Sequence, residues 1–251
     1  MSLDPYDCII WSADVPDVKT METRLNQMPR LQWVKVDRAF VDSNGWGVFN
    51  MLRDRGIKTF DDAKLIEIPI KLEELARTHV RKARPTMLNC MAGGVSTGLI
   101  EGLPEKIDGL KRFADVCLEG GVLPCGVTVL TSKAPGIVGQ EFGFPTQSKS
   151  AIDQVLWYTD KLVEAGFTDL VCSPQEASEV RLHFGVNICS NTPGVRPKGT
   201  DAGDQARIDT PSNAINNGAR RLVIGRPLTD GKLGTPAESL EIIVDELRAV
   251  A

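Results

Sequence analysis

Residues Lys58–Cys90 read KTFDDAKLIEIPIKLEELARTHVRKARPTMLNC. The short run Lys58–Asp62 has the length of a strand. Lys71–Lys82 is amphipathic at helical period, and Met87–Cys90 is again strand-like. Strand, helix and strand in this order make a parallel pair with a crossover helix. The same alternation continues on both sides of this unit. Upstream lie the strand-like runs Cys8–Ala13 and Gln32–Val36. Downstream lie Leu123–Leu130, Asp169–Cys172, Gly185–Ser190 and Arg221–Ile224, separated by helical stretches at Glu105–Glu119, Ala151–Ala165, Gln175–His183, Pro211–Gly218 and Ala237–Val250. Thr210-Pro211 opens one of these helices with a cap and a first-turn proline, and Pro236 precedes the last. About eight strands favour a closed barrel over an open doubly wound sheet, and a (β/α)8 barrel takes about 250 residues. The chain has 251. The expected fold is α/β, a (β/α)8 TIM barrel, read as a single domain over residues 1–251 because no repeat, low-complexity tract or linker interrupts it.

Composition narrows the function. Hydrophobic residues make up 42% and charged residues 25%, as in an ordinary globular chain. The formal net charge of −4 argues against a dedicated nucleic-acid binder, while leaving room for a local basic pocket. None of the six cysteines forms a C-x-x-C pair, so they read as free thiols of a reducing compartment, and a cytoplasmic location is expected. With only His79 and His183, three-histidine zinc sites and H-E-x-x-H chemistry are ruled out. No secretory signal or membrane span is expected.

The segment Phe60–Pro69, FDDAKLIEIP, concentrates charge unusually. On a strand Phe60, Asp62 and Lys64 share a face, and Trp33, Lys35 and Asp37 share one on the preceding run. Two solvated strand ends with surface ion pairs would account for this. So would an alternating Lys–Asp–Lys–Glu network facing into a barrel, with Glu67 following in the loop; such a network costs desolvation and is kept for function. A second feature is Thr192–Gly199, TPGVRPKG, with Gly203–Arg207, GDQAR, and Val223–Pro227, VIGRP. Glycine allows close backbone approach and arginine offers a fork to phosphate, so Arg196, Gln205, Gly225 and Arg226 suit the phosphate site that barrels often build after strands seven and eight. An ordinary loop with surface arginines is the plainer account. The long segments Ser132–Lys149 and Thr192–Ile208 follow strands, where barrel active sites lie.

Elsewhere the plainer account is preferred. Gly93-Gly94 after Asn89-Cys90-Met91 suits a tight turn, with the lining of a ligand pocket as the alternative. Cys172-Ser173 lacks a nearby histidine partner, and Ser173 suits the cap of the helix after Pro174. His79 and His183 fall on helices outside the barrel.

Taken in order, Trp11-Ser12-Ala13-Asp14, D-x-K-x-x-E-I-P, VTVLTS, VCSPQEA, TPGVRP…GDQARIDTP and VIGRPLT resemble the orotidine 5′-monophosphate decarboxylase family along the whole chain. The resemblance implies decarboxylation of orotidine 5′-monophosphate to uridine 5′-monophosphate in pyrimidine biosynthesis, with neither metal nor organic cofactor. It implies Lys64 as proton donor within a charged network of Lys35, Asp62 and Lys64, Asp14 on the ribose, and Thr131 on the pyrimidine edge. Arg196, Gln205, Gly225 and Arg226 would grip the phosphate. It further implies a homodimer with shared active sites, in which Glu67 reaches the neighbouring site. The substrate would be a pyrimidine nucleotide, with no nucleic acid or membrane as partner.

Three features depart from the family pattern. Glu67 stands for an aspartate, Ile70-Lys71 for a polar-Thr pair, and Asp37 for a glycine. Asp37 and Lys71 are expected to offset each other's charge across the dimer interface. A magnesium-dependent sugar-phosphate decarboxylase barrel is a second reading, disfavoured by Asp62 at the head of the motif. A nucleotide-binding relative that has lost catalysis is a third.

Overall fold

A computed structural model describes residues 4–93, 107–132, 151–198, 200 and 208–250. Eight parallel strands close into a barrel in chain order, the last pairing with the first. They are β1 (Ile9–Ser12), β2 (Trp33–Asp37), β3 (Lys58–Leu65), β4 (Met87–Met91), β5 (Leu123–Val127), β6 (Asp169–Val171), β7 (Cys189–Thr192) and β8 (Ala219–Ile224). The helices run α1 (Val18–Gln27), α2 (Arg38–Asn44), α3 (Gly47–Asp54), α4 (Pro69–Ala83), α5 (Asp108–Glu119), α6 (Ala151–Glu164), α7 (Pro174–Phe184), α8 (Pro211–Asn216) and α9 (Pro236–Arg248). The (β/α)8 barrel read from the alternation is the fold observed.

Side chains alternate across each strand, so every second residue enters the barrel. Ile10, Trp33, Phe60, Met87, Cys125 and Val223 form the inner apolar layer. The intervening residues, such as Ile9, Val34, Leu88 and Leu222, pack outward under the helices. Below the inner layer, Arg221 donates to Asp169 at 2.8 Å and lies 4.9 Å over the Trp33 ring. Asp7 closes that end, accepting from Trp33 Nε1 at 2.8 Å and Lys58 Nζ at 2.6 Å. This is the end that stabilises a barrel, opposite the end where barrel chemistry sits.

Several boundaries differ from the sequence expectation. Helices α1 to α3 were not anticipated. In α1 only Met21 and Leu25 are buried, too narrow a stripe to announce a helix. α2 starts directly after β2, whose last residue, Asp37, caps it with its carboxylate on Phe40 N at 2.8 Å, and Gly45 with φ +80° closes it. β5 stops at Val127 rather than Leu130, β7 begins at Cys189 rather than Gly185, and β3 continues past Asp62 to Leu65. Proline occupies the first turn of α4, α7, α8 and α9, where its missing N–H costs nothing. Ser173 holds the N-cap position of α7, where its N–H donates to the Glu176 carboxylate at 2.8 Å.

Candidate active site

The C-terminal ends of the strands surround a cavity of about 580 Å³. β1 contributes Ser12 and, just beyond it, Asp14; β2 contributes Lys35; β3 contributes Phe60, Asp62 and Lys64. The segment after β5 supplies Thr131, that after β7 supplies Gly194 and Arg196, and that after β8 supplies Gly225 and Arg226. The barrel therefore brings together eight of the ten candidate site residues: Asp14, Lys35, Asp62, Lys64, Thr131, Arg196, Gly225 and Arg226. Gln205 lies outside the described residues, as do most of Ser132–Lys149 and the end of Thr192–Ile208.

Asp62 is the hub. Its Oδ2 accepts from Lys35 Nζ at 2.8 Å, and its Oδ1 from Lys64 Nζ at 2.6 Å. Asn89 Nδ2 adds a bond to Oδ1 at 2.7 Å. Burial alone would raise the Asp62 pKa, but the two ammonium groups outweigh it and hold the carboxyl well below the ordinary carboxylate range. Burial would lower Lys35, yet Asp62 first, then Asp14 and Asp37, hold it above the ordinary lysine value. The group is thus a buried anion locked between two cations, with Lys64 half open to the cavity.

The backbone at Lys64 is unusual. Its φ is +45°, in the left-handed region that side chains with a Cβ rarely adopt. The β3–β4 register shifts between Asp61 and Leu65, so the ladder does not hold this stretch. Asn89 Oδ1 takes its place, accepting from Lys64 N at 2.7 Å. One fully buried asparagine thus fixes both the main chain of Lys64 and the carboxylate of Asp62. Its role went unread in the sequence, where Asn89 is one polar residue in a strand followed by glycines. An amide inside an otherwise apolar buried strand is the signal that could have marked it.

Where β8 meets β1, Gly225 lies against Asp14, and a Cβ there would come within 3.2 Å of its Oδ2. Ser12 Oγ donates to Asp14 Oδ1 at 3.1 Å. Gly194 adopts φ +81°, the turn that carries Arg196 to the cavity. Arg226 opens a short 3-10 turn after β8 and is exposed.

Glu67 does not line the cavity of its own chain. It is exposed, and its carboxylate accepts from Ile68 N at 2.7 Å. Within the chain Lys71 pairs with Glu74 at 2.7 Å and Asp37 caps α2. His183 is exposed on α7, and His79 packs outside the barrel.

A family model described as the orotidine 5′-phosphate decarboxylase / HUMPS family matches residues 7–242. The orotidine 5′-phosphate decarboxylase of Moorella thermoacetica is 35% identical over 227 residues, covering 89% of this chain and 86% of that protein. That of Prochlorococcus marinus is 31% identical over 251 residues, covering 98% and 99%. The solved structure of the Lactobacillus acidophilus orotidine 5′-phosphate decarboxylase superposes with a TM-score of 0.77 at 23% identity, over 95% of this chain and 98% of that one, which speaks to the fold. By sequence match along nearly its whole length, the chain belongs to the orotidine 5′-phosphate decarboxylase / HUMPS family.

Proposed function

We propose that this chain decarboxylates orotidine 5′-monophosphate to uridine 5′-monophosphate, as one domain and without a cofactor. The observation that carries the reading is Asp62 held between Lys35 and Lys64 at the cavity floor. The bond between C6 and the carboxylate carbon breaks, carbon dioxide leaves, and the electron pair stays on C6 of the pyrimidine. Lys64 places its ammonium where that charge develops, donates a proton to C6, and is reprotonated from solvent. The rate enhancement asked of such a site is on the order of 10¹⁷, or about 23 kcal/mol. Asp62 and Lys35 keep Lys64 oriented. Asp62 also faces the substrate carboxylate, and like charges ~4 Å apart repel by about 4 kcal/mol at an effective dielectric of 20.

The remaining residues bind. Thr131 meets the pyrimidine edge, Asp14 the ribose, and Arg196, Gln205, Gly225 and Arg226 the phosphate. Phosphate binding takes no part in bond breaking, and it supplies free energy for ordering loops over the base. Magnesium chemistry fits poorly, because both Asp62 oxygens are already occupied by ammonium groups.

The functional unit in this reading is a homodimer. Ile66, Ile68 and Ile70 are 55–62% exposed beside the cavity mouth and flank Glu67. Covering them with a second copy would bury apolar surface and carry Glu67 towards the neighbouring site. No helix of the described residues is long and apolar enough to cross a membrane. All six thiols are free, which suits the reducing cytoplasm.

An absorbance assay with orotidine 5′-monophosphate, with and without a chelator, tests the function. The expected result is turnover unchanged by the chelator. Loss of turnover on chelation would point to a magnesium-dependent relative. Nucleotide binding without turnover would point to a relative that has lost catalysis.

A further inference from the structure

A second ionisable pair lies behind β3, on the side that the reaction does not touch. Asp61 precedes Asp62, so strand alternation turns its side chain out of the barrel, under α4. That side chain is 1% exposed. Its Oδ2 lies 2.7 Å from His79 Nδ1, and its Oδ1 has no hydrogen-bond partner among the described residues. The imidazole is largely buried as well and meets the Trp46 ring edge-on, 4.9 Å between centroids. A buried carboxylate with one unpaired oxygen costs free energy that an apolar residue would not. Its retention here calls for a reason beyond packing.

Two observations connect the pair to the cavity. Asp61 pairs with Leu88 as the last β3 residue in register with β4 before the shift. From there to Leu65, the strand is held on the β4 side by the Asn89 side chain. The anchor at Asp61 therefore fixes the strand at the point where Asp62 and Lys64 take their directions. The second link is charge. Burial first, and then the neighbouring Asp62, raise the Asp61 pKa, while His79 opposes them. Cys117 of α5 lies close enough for Asp61 to act on it, and its thiol is raised by burial and by Asp61.

We propose that Asp61 and His79 form a positioning pair, in which the Nδ1 contact ties the last in-register residue of β3 to α4 and so holds the strand where its ladder to β4 breaks. His79 touches no substrate and acts only through β3. The turnover arm of the test rests on the decarboxylase reading; the hydrogen-exchange arm does not.

His79→Ala removes the contact, and its kcat should drop roughly tenfold with KM nearly constant, the scale of a small misplacement in a preorganised site. His79→Gln keeps a donor for Asp61, so it should stay within a few-fold of wild-type kcat. In His79→Ala the backbone amides of residues 63–65 should exchange faster with solvent deuterium while those of β6 do not change, and His79→Gln should restore them. The inference fails if His79→Ala keeps wild-type kcat, or if KM rises in step with the fall in kcat. It also fails if exchange along residues 63–65 is unchanged, a result that needs no turnover. Absence of decarboxylation in the parent protein would end the functional reading, leaving hydrogen exchange to decide this one.

Discussion

Asp62 accepts hydrogen bonds from Lys35, Lys64 and Asn89, and each donor comes from a different place in the chain. Removing Asn89 would leave Asp62 Oδ1 with one donor fewer and Lys64 N with none from its side chain. We expect Asn89→Ala to cost about 1–3 kcal/mol in stability, the usual penalty for orphaned buried groups. Its kcat should fall much more than KM rises, because the substrate-binding wall is untouched; steady-state kinetics beside a denaturant melt would check both. Arg226 is exposed, and Arg226→Ala should leave stability nearly unchanged. It should raise KM for orotidine 5′-monophosphate and lower kcat, yet be almost silent with orotidine lacking the phosphate. An equal loss with both substrates would assign Arg226 to the fold. Lys35, Asp62 and Lys64 were legible in the sequence because strand alternation puts Asp62 and Lys64 on one face and Lys35 on that of the preceding run, and the family motif marks those faces as inward. Asn89 and the Asp61–His79 pair were not. Their partners lie 18 to 27 residues away, and which atoms meet depends on barrel register and helix phase, neither of which periodicity supplies.

Among the elements, β3 supplies Asp62 and Lys64 to the cavity, and its ladder is imperfect. The break after Asp61 frees Lys64 to adopt φ +45°, a conformation that costs about 1–2 kcal/mol for a residue with a Cβ. The Asn89 bond to Lys64 N offsets part of that cost. The helices around the barrel are set by local signals that can be tested one at a time. α9 begins with a capping box, in which Thr235 N donates to Glu238 Oε2 at 2.7 Å and Glu238 N donates to Thr235 Oγ1 at 3.3 Å. Thr235→Ala should lower stability by about 1 kcal/mol. For a chain of this size that is a fall in Tm of about 2–4 °C, with turnover at low temperature unchanged. A scanning calorimetry trace without a shift would mean that packing of Leu240, Ile243, Val244 and Leu247 holds the helix by itself. The long helices were legible from their apolar stripes. The short α2 and α3 were not, because seven or eight residues barely complete two turns of any period.

The whole barrel separates its tasks by end. Asp7, Asp169 and Arg221 close one end with ion pairs, while the opposite end opens into the cavity. The exposed Ile66, Ile68 and Ile70 surround Glu67 at that open end. If a second copy covers them and Glu67 completes the neighbouring site, two inactive variants should complement each other. Mixing Lys64→Ala with Glu67→Ala would place both defects in one site of a hybrid dimer and neither in the other. Activity should then return to roughly a quarter of wild type, as expected for random exchange in a two-fold dimer. No recovery after verified subunit exchange would confine each site to one chain. Beneath this lies the assignment of proton transfer to Lys64, and one variant decides it. Lys64→Ala should keep the barrel's circular dichroism and bind uridine 5′-monophosphate with affinity reduced far less than activity, yet show no detectable turnover of orotidine 5′-monophosphate. A folded Lys64→Ala protein retaining a tenth of wild-type kcat would contradict the account.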